Sequence, residues 1–131
     1  MKTNKFKLSL SLFLFTLLVG CNSMGQNKLV KNVAPQEFQN LMKSPDAVVM
    51  DVRTPSEVSE GYIKGTTVFV NINGSDFEQK LAALDKSKTY LVYCRSGGRS
   101  MAACNQLAAN GFTKIYNLQG GISNWTGETS K

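Results

Sequence analysis

From about residue 29 onward, short apolar runs of strand length alternate with stretches whose apolar residues recur every three or four positions. "LVKNV" (29–33) predicts a first strand. Pro35 then stands where helices tend to begin, with Phe38, Leu41 and Met42 on one face. "AVVMDV" (47–52) is an unbroken apolar run, suited to a strand covered on both sides. In "TPSEVSEG" Thr54 supplies a cap, Pro55 a first helical position and Gly61 a stop, which predicts a short helix. "TVFVNI" (67–72) predicts the next strand, and behind Asp76 the residues Phe77, Leu81 and Leu84 return at helical spacing. "YLVYC" (90–94) reads as a strand. Arg99 to Asn110 reads as a helix carrying Met101, Cys104, Leu107 and Ala108 on one stripe, with Gly111 at its left-handed end. "KIYNL" gives a last strand and "GGISNW" a turn and short helix.

This alternation predicts an α/β domain, a mostly parallel central sheet with helices on both faces. In such sheets ligands bind at the carboxyl ends of the strands. Cys94 stands at one of those ends.

The first 28 residues follow a different pattern. Three lysines (Lys2, Lys5, Lys7) precede an uncharged run from Leu8 to Val19, then Gly20 and Cys21. The run is too short for a membrane-spanning helix, which needs about 20 apolar residues, and has the layout of an export signal. "LVGC" (18–21) resembles the bacterial lipobox, whose cysteine receives lipid and becomes the first mature residue. The expected organisation is therefore a signal at 1–20, a lipidated Cys21 opening a polar tether at 21–28, and one domain at 29–131, held at the cell envelope by its lipid and facing the periplasm or lying on the outer membrane. Asn22 does not assign which membrane. We expect a monomer.

Charge alters this picture little. Without residues 1–20, twelve basic side chains face nine acidic ones, a balance of +3 that does not suggest a nucleic-acid partner. The absence of histidine matters more. It removes cysteine–histidine dyads, serine–histidine triads and histidine-based metal sites, and two unlinked cysteines do not make a zinc site.

The chemistry that remains lies in "CRSGGRS" (94–100). Arg95 and Arg99, a helix start near Gly98, and small residues that turn amides toward the sulfur all favour a thiolate at Cys94 over the ordinary thiol. Gly97 and Gly98 permit positive backbone angles, and Ser96 and Ser100 add hydroxyl donors. The expected result is an anion pocket, positively charged, with a reachable sulfur at its mouth. The residue pattern alone equally allows a plain strand-to-helix turn with a core cysteine.

Four stretches in order decide between these readings: "DVRTPSE" (51–57), "EGYIKGT" (60–66), "YCRSGGRS" (93–100) and "LQGGISNW" (118–125). Together, over about residues 29–126, they resemble the rhodanese-like family in its single-domain form. The resemblance implies a sulfurtransferase that uses no cofactor or metal. Cys94 would be the nucleophile. Arg95, Ser96, Gly97, Gly98, Arg99 and Ser100 would bind a small anionic donor such as thiosulfate. A Cys94 persulfide would then pass its sulfur to cyanide or a thiol. Where the family commonly has His-Ile-Pro-Gly-Ala, this chain has Tyr62 to Thr66, which implies a local change in packing or at the substrate rim.

Asp51, Arg53 and Glu57 read as an ion-pair cluster ordering the strand end rather than as acid–base catalysts. Cys104, on its apolar stripe, reads as core rather than as a resolving thiol, and Trp125 as a lid on the core. Two other functions compete. A cysteine phosphatase uses a similar cradle, but with five residues between cysteine and arginine where this chain has four. A non-catalytic carrier or docking module would keep the domain without turnover.

Overall fold

The computed structural model describes residues 27–131, so the expected export signal, Cys21 and most of the expected tether lie outside the described residues. Five strands form one parallel sheet: β1 (Val30–Val33), β2 (Ala47–Asp51), β4 (Thr66–Phe69), β5 (Thr89–Tyr93) and β6 (Ile115–Leu118), in the order β1-β6-β5-β2-β4. The central strand β5 is buried along its whole length, which is why it reads as a continuous apolar run and not as an alternation.

Helices cover both faces. On one, α3 (Phe77–Ala82) and α4 (Gly98–Ala109) bring Phe77, Leu81, Ala103, Cys104 and Leu107 against Met50, Tyr90 and Val92. On the other, α1 (Pro35–Leu41) brings Phe38 against Val49, Leu91, Tyr93 and Leu118, with Ile122 and Trp125 packed at the margin. Alternate residues of β5 point to alternate layers, and Cys94, next in that alternation after Val92, falls on the α4 side. Trp125 meets Phe38 edge-on at 6.0 Å, which fits its expected place over the core.

The sequence signals mostly mark these elements to within a residue or two. Thr54 caps α2 (Pro55–Ser59) by accepting the Glu57 amide, and Gly111 takes a φ of +92° after α4. Strand β4 ends at Phe69, earlier than the apolar run to Ile72, because Asn71 starts a turn with Gly74. A small antiparallel pair, β3 (Tyr62–Ile63) with β7 (Thr129–Ser130), has no counterpart in the predicted elements. Two residues per strand are too few to carry a period.

That pair explains the unusual Tyr62–Thr66 stretch. Lys64, standing where the family commonly has proline, donates its amide to the Glu128 carbonyl at 3.0 Å, a bond proline lacks the N–H to make. Tyr62 packs edge-on against Phe69 with ring centres 5.0 Å apart.

Candidate active site

The carboxyl ends of β2, β5 and β6 converge on the loop after Cys94. Gly97, with a φ of +108°, ends the loop and caps α4. This left-handed turn points the Gly97 amide at Cys94 Sγ, 3.1 Å away. The Ser100 hydroxyl, one turn into the helix, donates to the same sulfur at 3.3 Å. Burial pushes the Cys94 thiol up, but the Ser100 hydroxyl and the amides of Ser100, Gly97 and Ser96 outweigh it and leave the thiol more acidic than an ordinary cysteine. The sulfur thus sits at the amino end of α4 in a ring of donors, an arrangement that favours an anion.

Three expectations need correction. The first concerns access. Cys94 is 1% exposed, so the sulfur forms the floor of the cradle, beneath the exposed Arg95, Ser96 and Gly98, and does not stand at its mouth. Any donor must reach it end-on with a narrow atom. The second concerns the glycines: only Gly97 uses a positive φ, and a Cβ at Gly98 would enter open space.

The third concerns the charges. Arg99 is not an unpaired cation, because Glu57 of α2 holds it through two bonds, Nη1 to Oε1 at 2.7 Å and Nη2 to Oε2 at 2.9 Å, and offsets its charge. Within the expected Asp51, Arg53 and Glu57 cluster, Glu57 acts on Arg53 by its charge alone; its direct partner is Arg99, and it clamps α2 to α4 across the rim. Asp51 and Arg53 do pair, at 2.7 Å and almost wholly buried. Arg53 also donates to the Gly61 carbonyl, fixing the chain at the entry to β3. Among the described residues, the Arg95 guanidinium has no ion-pair partner. It borders a cavity of about 310 Å³ that Arg53, Glu57, Glu60, Gly61 and Ser123 also line.

The Glu57–Arg99 clamp has a readable pH signature. The Arg99 guanidinium lowers the Glu57 carboxyl from 4.5 to about 2. A depressed carboxyl contributes stability that is fully present above its unfolded value and is lost as pH falls through its folded one. Unfolding free energy should therefore decline as pH drops from 4.5 toward about 2. Glu57→Gln should flatten that part of the curve and cost about 1 kcal/mol at neutral pH, the pair being partly solvated. Urea midpoints measured across this range check it.

Cys104 is fully buried beside Leu107 and Ala103, and burial raises its thiol far above the usual range. Neither it nor Cys94 is in a disulfide, so its reading as core stands. Two residues shape the site in ways the sequence did not show, Gly121 within the quoted "LQGGISNW" stretch and Asn117 just before it. Gly121, with a φ of +62°, brings the turn after β6 against the carbonyl groups of Cys94 and Arg95. Asn117, buried in β6, donates to the Gly97 carbonyl. A polar residue inside the run "KIYNL" was the available signal for Asn117.

Comparison with known proteins agrees with this architecture. The profile of the Rhodanese-like domain family matches residues 34–128. The chain is 44% identical over 101 residues to the "Putative sulfurtransferase YtwF" of Bacillus subtilis, covering 76% of this chain and 94% of that one. It is 35% identical over 95 residues to the thiosulfate sulfurtransferase GlpE of Ectopseudomonas mendocina, covering 72% and 84%. A crystal structure of a rhodanese-related protein from Thermoplasma volcanium superposes with a TM-score of 0.66 at 27% identity, covering 76% and 97%. A parallel sheet that ends in an amide-lined cysteine cradle, matched by family profile, relatives and fold alike, makes this chain a member of the rhodanese-like domain family.

Proposed function

We propose that the protein is a sulfurtransferase that carries sulfane sulfur on Cys94, taking it from a small anionic donor such as thiosulfate and giving it to a thiol, or to cyanide in the test tube. The observation that carries this reading is the convergence of the Gly97 amide and the Ser100 hydroxyl on one sulfur. The Cys94 thiolate attacks the outer sulfur of the donor and a new S–S bond forms. The old S–S bond breaks with its electron pair leaving on sulfite. The acceptor then attacks the outer sulfur of the persulfide, and Cys94 departs as a thiolate, ready for a further cycle. Arg95, exposed and without an ion-pair partner among the described residues, would receive the sulfonate end, while Arg99, matched by Glu57, would hold the rim.

Burial of the sulfur supports the same reading over the phosphatase one. Thiosulfate needs to bring only its projecting terminal sulfur into the narrow cradle, leaving its sulfonate end outside, whereas phosphoryl transfer must seat the whole phosphate tetrahedron around the nucleophile. The protein should form thiocyanate from thiosulfate and cyanide and release no phosphate from aryl phosphates. Phosphate release above that of a Cys94→Ser control would overturn the assignment.

We propose further that the domain works at the cell envelope, tethered by lipid on Cys21 and acting as a monomer. The support is the "LVGC" sequence behind the lysines and the uncharged run. A Cys21→Ser variant that remained in the membrane fraction would contradict it.

A further inference from the structure

Asn117 lies near the carboxyl end of β6, in register with Asn32 of β1 and Val92 of β5. Its alternation with Ile115 puts it on the α4 face of the sheet, where Ile115 and Val92 are apolar and Asn32 is its polar neighbour. It is 2% exposed, and its Oδ1 has no hydrogen-bond partner, a standing cost to the fold that an apolar residue would not carry. Its Nδ2 is used twice, donating to Asn32 Oδ1 at 3.0 Å and to the Gly97 carbonyl at 3.3 Å. Asn32 could turn its own amide to match, but turning Asn117 over would set its oxygen against the Gly97 carbonyl, which can only accept, so that contact fixes Asn117 as a donor.

The Gly97 carbonyl is crowded. Besides Asn117 it faces the Met101 amide at 3.1 Å and the Ser100 hydroxyl at 3.2 Å. A carbonyl oxygen has two lone pairs, and a serine hydroxyl has one proton to give. With Met101 and Asn117 filling the carbonyl, the Ser100 proton is left for its other neighbour, Cys94 Sγ at 3.3 Å. Without Asn117, a lone pair falls vacant within reach of the hydroxyl and competes with the sulfur for that proton.

We propose that Asn117 is a positioning residue for Cys94: by occupying the Gly97 carbonyl it commits the Ser100 hydroxyl proton to the sulfur and so favours the thiolate. The inference deepens the sulfurtransferase reading and rests on it only for the use to which that thiolate is put.

The test is the pH midpoint of Cys94 alkylation by iodoacetamide, with the modified residue located by peptide mass. Asn117→Leu removes the donor and keeps the shape. It should move the midpoint up by about one pH unit, the order expected for a hydrogen bond to a charged group. Its melting temperature should hold or rise, because the unmatched Oδ1 goes too. Ser100→Ala should also raise the midpoint, and adding Asn117→Leu to Ser100→Ala should raise it no further.

A midpoint unmoved by Asn117→Leu, or moved equally with and without the Ser100 hydroxyl, would overturn the proposal. Should Asn117→Leu fail to fold, Asn117→Ala carries the same comparison. Alkylation reads ionisation and not turnover. A protein that titrates as expected yet transfers no sulfur would refute the sulfurtransferase reading while supporting the role of Asn117.

Discussion

Replacing Cys94 by serine should lower thiocyanate formation by roughly a thousandfold or more, to the level of the uncatalysed mixture, while the domain stays folded. The loss is large because the reaction passes through a bond to that one sulfur, and a threefold power of ten corresponds to only about 4 kcal/mol of barrier. A serine hydroxyl is not ionised near neutrality, and an oxygen cannot form the persulfide. The fold should tolerate the change. Serine is close in size, and its oxygen can accept the Gly97 amide that now points at sulfur, so the cost to stability should be about 1–2 kcal/mol. Parallel measurement of activity and of urea midpoint separates the two effects.

The second large effect is expected at Gly121, well away in sequence from the cysteine. Its φ of +62° with a ψ of −163° lies in a region that is essentially confined to glycine. A Cβ there would fall 2.6 Å from the Cys94 carbonyl oxygen and also strike the Arg95 carbonyl. The close approach has a purpose. It lets the amides of Ile122 and Ser123 donate to the carbonyls of Cys94 and Arg95 at 2.9 and 3.0 Å, which fixes the first two peptides of the cradle from behind. Gly121→Ala should therefore cost about 3 kcal/mol or more from strain and overlap together. Whatever remains folded should lose sulfur transfer, because its loop no longer aims the donors at the sulfur. Gly98→Ala is the contrast, since its Cβ meets nothing. It should fold normally, with a stability change within about 1 kcal/mol.

The sequence made the sheet legible because its signals are local. Pro35, Thr54 with Pro55, and Gly111 act within a few residues of themselves, and the apolar runs of β2 and β5 are long enough to show no alternation. The cradle was legible in its membership but not in its wiring. Which carboxylate meets which arginine depends on how α2 lies against α4, and nothing in the spacing of Glu57 and Arg99 indicates that they meet. The depth of the sulfur was likewise hidden. A cysteine at a strand end can face out over the loop or sink under it, and here the side chain falls on the α4 side, where it packs into the core with Val92, Ala103 and Cys104. The roles of Asn117 and of Gly121, the latter quoted only as part of a turn, were hidden for the same reason: each acts on the cradle from the neighbouring strand β6 or the turn after it.

Incubation of the purified protein with thiosulfate, followed by intact-mass measurement, puts the central claim most directly to the test. The account predicts a gain of one sulfur atom that a reducing thiol removes and that Cys94→Ser does not show. An unchanged mass in the folded wild-type protein, or the same gain in Cys94→Ser, would mean that the sulfur at the floor of the cradle is sealed from its donor and that Cys94 is not the carrier.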